Sequence, residues 1–185
     1  FVLAHRHPPT RRLHDVAMPI LRELAEAVGQ SCHLGVAQRG ELITLMEAEA
    51  PGSMGFVIRP GTRAPLSETG SGTVLLAFQD EPTRLRWLEP SSKPLSRPKR
   101  RALIQHLDLV RGRGYEQRPS QVIEGMTDIS APVFDHSRHA IAAVTVPYLA
   151  PLRNAMRITQ VRQHVLDAAR ELSSSVGCGM IFESE

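Results

Sequence analysis

The stretch Pro65-Leu66-Ser67-Glu68-Thr69-Gly70-Ser71-Gly72 runs directly into Thr73-Val74-Leu75-Leu76-Ala77-Phe78, a turn with two glycines opening a mostly apolar helix predicted over about 71–79. Glycines at 70 and 72 allow the backbone to approach another group closely, and the first amides of a helix have no partners within it. They therefore present donors and a partial positive charge. On these residues alone the turn reads equally as a small-anion site or as a tight loop-to-helix packing joint.

Upstream of the turn, Ala17, Ile20, Leu21, Leu24 and Val28 recur at helical spacing between Asp15 and Val28, and Gly29 ends the pattern. Pro19 is expected in the opening turn of that helix or just past it, where a missing amide costs least. Ser31–Ala37 and Leu42–Ala48 read as strands joined by the hairpin turn Gln38-Arg39-Gly40-Glu41, and a third short apolar run, Met54–Ile58, leads into Arg59-Pro60-Gly61.

Downstream, helical patterns cover about Thr83–Leu88 and Arg97–Arg111, the second preceded by Ser96 as its cap and stopped by Gly112 and Gly114. Tyr115–Val122, Met126–Phe134 and Ala140–Tyr148 read as three more strands, the last two joined by Asp135-His136-Ser137-Arg138. A long helix carrying Ile158, Val161, Val165, Ala169 and Leu172 on one face closes the chain, ending near Gly177. Helix, three strands, helices, three strands, helix is the order of an α+β domain with an antiparallel sheet and helices packed on it. One domain is expected over 14–177, with 1–13 as the end of an incoming linker and 178–185 as a C-terminal tail.

The 185 residues, 42% of them hydrophobic, suffice for one buried core. A net charge of +3 is a modest arginine excess rather than a surface that coats nucleic acid, and Arg97-Pro98-Lys99-Arg100-Arg101 reads first as a solvated helix face. Cys32 and Cys178 lie far apart, which indicates neither a zinc ribbon nor a disulfide scaffold and suits a reducing cytoplasm. The chain shows no membrane-length apolar run and no signal-peptide pattern at Phe1–Arg12; beginning Phe1-Val2, it reads as a fragment. Its eight histidines fall in turns or singly on different elements, none in HExxH, GxSxG or another spacing that fixes a metal or activates a nucleophile. Neither an enzyme nor a bound cofactor or metal is expected.

With this order of elements in hand, two signatures carry a family resemblance. The first is Gly61-Thr62-Arg63-Ala64-Pro65-Leu66, then Gly70-Ser71-Gly72, then Val74-Leu75-Leu76-Ala77. The second is Arg113-Gly114-Tyr115-Glu116, then the run from Glu124 to Asp135 (Glu-Gly-Met-Thr-Asp-Ile-Ser-Ala-Pro-Val-Phe-Asp), then Ala142-Ala143-Val144-Thr145-Val146. Over nearly its whole length the chain resembles the effector-binding domain of the IclR family of bacterial transcriptional regulators.

The resemblance implies a GAF-like (profilin-like) sensor domain that follows a winged helix-turn-helix domain. That DNA-binding part is expected to be absent from this chain, since no recognition-helix pattern precedes residue 14. It also implies dimers, commonly dimers of dimers, and a small-molecule effector that shifts DNA affinity. By residue, the resemblance places Gly70 and Ser71 as amide donors to the ligand. It sets Arg118, Met126, Asp128, Thr145 and Pro147 opposite them, with Met54, Phe56 and Leu66 as the apolar wall.

Asp128 stands where some members carry cysteine, Arg118 where some carry an acid, and Pro147 where serine is common. For Arg118 the alternative is a surface residue at a strand start, and for Asp128 a local hydrogen bond to backbone amides or to Thr127. The effector expected on these grounds is a small carboxylic acid with its acid group on the amides of Gly70 and Ser71 and a hydroxyl or amine end near Asp128 and Thr145. The competing reading is a dimerisation module with a vestigial pocket.

Overall fold

The computed structural model describes residues 9–50, 56–88, 96–120, 124–150 and 156–181. Helix α1 spans Pro9–Val28. It starts inside the segment read as a linker, so Pro19 lies in its interior rather than near its first turn. The helix tolerates it because Pro19 and Asp15, whose carbonyl loses its partner, are both exposed. Gly29, at φ 65°, closes the helix by donating its amide to the carbonyl of Ala25 at 2.9 Å.

Strands β1 (Cys32–Gln38) and β2 (Glu41–Ala48) form the expected hairpin, with Arg39 and Gly40 both at positive φ, as a primed turn demands. The third strand is not the run Met54–Ile58. Phe56–Ile58 lies outside any strand and Met54 lies outside the described residues. Its place is taken by β3, Arg63–Pro65, a short edge strand that pairs Glu41 with Pro65 and is pinned by the Arg63 Nε to Glu41 Oε2 ion pair at 2.9 Å. Proline fits there because an edge strand leaves one row of amides unused.

A 3₁₀ turn at Leu66–Glu68 then leads into α2 (Gly70–Ala77), all eight residues of which are buried. Helices α3 (Glu81–Leu88) and α4 (Arg97–Arg113) follow. Ser96 occupies the capping position of α4, but its side chain makes no capping bond. The stop is Gly114, at φ 84°, with Gly112 inside the helix. Strands β4 (Glu116–Pro119), β5 (Met126–Phe134) and β6 (Ala140–Leu149) complete the sheet. Helix α5 runs Ile158–Ile181, past Gly177. A glycine inside a helix costs about 1 kcal/mol but ends it only where the chain turns left-handed.

All six strands are antiparallel, in the order β3-β2-β1-β6-β5-β4. Because side chains alternate across a strand, the sheet has two faces. On one, α1 and α5 bury Leu21, Leu24, Val161, Val165 and Leu172 against Leu34, Ile129, Val144 and Val146. On the other, α2 and α4 bury Leu66, Leu75, Leu76, Leu107 and Val110 over Leu42 and Ala143. The second face is only partly covered, and the remainder forms a cavity.

Candidate functional site

The start of α2 is built by three residues with different duties. Thr69 caps it, its Oγ1 accepting from the amide of Gly72 at 3.0 Å while its carbonyl accepts from Thr73. Gly72 is required by packing: a Cβ there would sit 2.1 Å from the carbonyl oxygen of Leu66. At Gly70 a Cβ would meet Ser130 Oγ at 2.9 Å and Asp128 Cβ at 3.1 Å, so this glycine keeps the gap between α2 and β5 open. The packing-joint reading of the turn thus holds at both glycines, Gly72 against Leu66 and Gly70 against β5. The amides of Gly70 and Ser71 precede the intrahelical ladder, and both residues line a cavity of about 320 Å³ over the sheet.

The sheet side of this cavity is polar because of register. Glu116 pairs with Ser130, Ser130 with Thr145, Thr145 with His33, and His33 with Glu47, which lays one row of polar residues across β4, β5, β6, β1 and β2. Directly opposed residues share a face. Ser71 descends onto this row from α2. Its Oγ lies 2.6 Å from Thr145 Oγ1 and 3.5 Å from His33 Nε2, and Thr145 Oγ1 is 2.8 Å from Ser130 Oγ.

Burial holds the His33 ring down at about 4, so it is neutral at physiological pH and takes part as a neutral donor or acceptor. At one end of the row Glu116 is fully buried and answered by His106, Arg113 and the amide of Gln117. At the other, Glu47 Oε1 is buried without a hydrogen-bond partner among the described residues, and burial raises that carboxyl.

Asp128 stands beside the row, opposite Arg118 on β4 and Pro147 on β6. Desolvation raises its pKa, against hydrogen bonding from Ser120 and the nearby Arg118 guanidinium, with Glu116 adding to the rise. Its Oδ2 lies 3.8 Å from the point a Cβ on Gly70 would occupy, so a carboxylate and a helix amino terminus face the same small space. Phe56, Val57, Ile58, Leu42 and Ala64 form the apolar remainder of the wall.

Of the residues singled out from sequence, Gly70, Ser71, Asp128, Thr145, Phe56 and Pro147 meet around this cavity. Arg118 is beside it rather than in its lining, with Nη1 3.5 Å from Thr73 Oγ1. Leu66 and Met126 are not in the wall. Leu66 is buried in the core beneath α2, drawn there by the close passage of Gly72, and Met126 is buried at the start of β5. The sequence reading missed His33, Thr44, Ser120 and Ser130. For His33, Thr44 and Ser130 the only signal was a polar side chain amid apolar neighbours in a strand, while Ser120 lies just past β4, and the pairing that brings β1 to β6 joins residues about 110 apart.

A curled antiparallel sheet with helices on both faces and a cavity under a helix amino terminus is a GAF-like sensor fold. The model of the bacterial transcriptional regulator IclR C-terminal family matches residues 9–174, and the chain belongs to that family. It is 31% identical over 167 residues to the HTH-type transcriptional regulator BhcR of Paracoccus denitrificans, covering 87% of this chain and 59% of that protein. It is 27% identical to the regulator KdgR of Escherichia coli, covering 85% and 61%. The chain thus spans about three fifths of the length of these curated relatives.

The crystal structure of the C-terminal domain of E. coli KdgR superposes with a TM-score of 0.73 at 26% identity, over 90% of this chain and 99% of that one. That of an IclR homologue from Microbacterium hydrocarbonoxydans complexed with 4-hydroxybenzoate does so at 0.75 and 26%, over 95% and 72%. The relatives are transcriptional regulators rather than enzymes, and no helix among the described residues is long and apolar enough to cross a membrane.

Proposed function

We propose that this chain is the small-molecule-sensing domain of a cytoplasmic transcription regulator, and that its effector carries a carboxylate held by the amides of Gly70 and Ser71. The observation that carries this reading is the cavity itself: the two residues that start α2 and a hydroxyl network border a space of about 320 Å³, within the usual range for small-molecule sites. The ligand-bound relative, which holds an aromatic acid, supports it. Gly70 and Ser71 hold the acid group, Asp128 and Thr145 take the hydroxyl or amine end, and Phe56 and Pro147 enclose the rest. Self-association into dimers or tetramers, and DNA binding through a winged helix-turn-helix outside this chain, complete the proposal.

A thermal-shift screen of the chain against keto, hydroxy, amino and aromatic carboxylic acids tests it, because a ligand that binds only the folded state raises the melting temperature. A hit abolished by Ser71→Ala or Asp128→Ala supports the reading. Hits indifferent to both substitutions remove this cavity from the site, and silence across the panel favours a vestigial pocket.

A further inference from the structure

The cavity reaches well past the start of α2. Its lining runs from Asp128 on β5 through Thr145 on β6 and His33 on β1 to Thr44 on β2, four adjacent strands of the sheet. Gly70 and Ser71 stand over one half of that span, Gly70 against Ser130 and Asp128 and Ser71 on Thr145. The other half, over β1 and β2, has two polar side chains of its own.

Thr44 is 2% exposed, and its hydroxyl makes no hydrogen bond among the described residues, although its amide and carbonyl are engaged with Thr62 and Gly61. His33, 5% exposed, makes one hydrogen-bond contact there through its ring, a 3.5 Å approach of Nε2 to Ser71 Oγ, which itself lies nearer Thr145. Both side chains border the cavity. A hydroxyl withdrawn from water and left unpaired is costly, so a side chain in that position is a built acceptor and donor for a group entering the cavity. This end suits a neutral group. Burial keeps the His33 imidazole uncharged, with one ring nitrogen donating and the other accepting, and Arg59, the only cation among the described lining residues, is exposed. A carboxylate placed here would lose its water without meeting a buried cation, whereas a hydroxyl can both donate and accept.

We propose that the effector carries, besides its acid group, a neutral hydroxyl at the end of the cavity away from Asp128, held by Thr44 Oγ1 and the imidazole of His33. This rests on the carboxylate-effector reading above and adds a second anchor to it. From β6, where Ser71 touches the sheet, to β2 is two strand spacings, about 10 Å. Less a hydrogen bond of about 2.8 Å at Thr44, the acid and the hydroxyl lie about 7 Å apart. A hydroxyphenyl acid or a six-carbon ω-hydroxy acid has that length, while the hydroxyl of a 2-hydroxy acid adjoins its carboxylate and does not reach.

Calorimetry on this chain compares 4-hydroxyphenylacetate with phenylacetate, and 6-hydroxyhexanoate with hexanoate and hexanedioate. The expected result is that at least one of the two hydroxy acids binds ~10-fold or more tightly than its parent lacking the hydroxyl, and that hexanedioate gains nothing over hexanoate. In Thr44→Val, which keeps the shape of the side chain, the preference falls to within about twofold, the parent acid binds as before, and the urea midpoint does not fall, because no hydrogen bond within the protein is lost. The proposal is overturned if both parent acids bind as well as their hydroxy acids, an outcome that leaves the carboxylate reading standing. It is equally overturned if Thr44→Val keeps the preference, if that variant is less stable than the parent protein, or if hexanedioate binds as tightly as 6-hydroxyhexanoate. Absence of binding by every compound at millimolar concentration also overturns it, and the wider acid screen then decides the carboxylate reading separately.

Discussion

At the scale of single residues, the two glycines of the 65–78 stretch are not equivalent. A methyl group at position 72 would lie 2.1 Å from a backbone oxygen, which cannot give way without moving the Leu66–Glu68 turn off α2. Gly72→Ala is therefore expected to destabilise the domain by about 3 kcal/mol, at the upper end of overpacking costs, as read from the urea midpoint. At position 70 the same methyl meets only side chains, Ser130 Oγ and Asp128 Cβ. Gly70→Ala should cost about 1 kcal/mol in stability while abolishing effector binding, because the methyl projects between α2 and the floor of the cavity. Equal loss of stability in the two variants would contradict this division. The sequence pointed to both glycines, but which one faced a backbone and which the side chains of β5 at the cavity depends on atoms far away in the chain.

At the scale of elements, α2 is a hub whose far end is held by cations from two other helices. Arg111 on α4 donates through Nε to the carbonyl of Ala77 and through Nη2 to that of Gln79, both at 2.7 Å, and Arg84 on α3 donates to Leu76 at 3.1 Å. These are the orphan carbonyls of a helix C-terminus, where a positive charge is favoured. Arg111→Leu keeps much of the packing of the stem but leaves the carbonyls of Ala77 and Gln79 with only the longer contacts from Arg84 Nη2, at 3.5 and 3.4 Å. It is expected to lower stability by about 1–3 kcal/mol in chemical denaturation. An Arg111→Leu variant as stable as the parent would show that Arg84 alone secures this end. The helical stripe of α4 was legible in sequence, as were the hairpins β1–β2 and β5–β6, because periodicity and turn residues are local signals. The short strand β3 was not, since three residues have no period to read and owe their strand conformation to pairing with β2.

At the scale of the whole molecule, pH dependence follows from burying His33 in the sheet, between β2 and β6 and beneath Ser71 of α2. Its folded pKa, about 4, lies below the ordinary value of 6.5, so between those values the unfolded chain binds the proton that the folded one refuses. Stability is thus fully present above about pH 7 and falls as the pH is lowered through that window, by up to about 3 kcal/mol. His33→Gln should remove this component. The gap between its urea midpoint and the parent's is expected to narrow on going from about pH 7.5 to about pH 4.5, and a gap independent of pH would mean that the imidazole titrates normally.

The sequence by itself determined the α+β class, the antiparallel hairpins, the apolar stripes of α1 and α5, the family signatures and the glycine turn. Each of these is written in residues close together along the chain, where spacing translates directly into geometry. Only the tertiary structure decided that Glu116, Ser130, Thr145, His33 and Glu47 form one polar row, that Asp128 faces the start of α2, and that Leu66 belongs to the core rather than the wall. Those facts depend on how separate elements pair and pack, the pairing of His33 with Thr145 joining strands about 110 residues apart, and register is set by the packing of whole faces against helices, which no local pattern encodes.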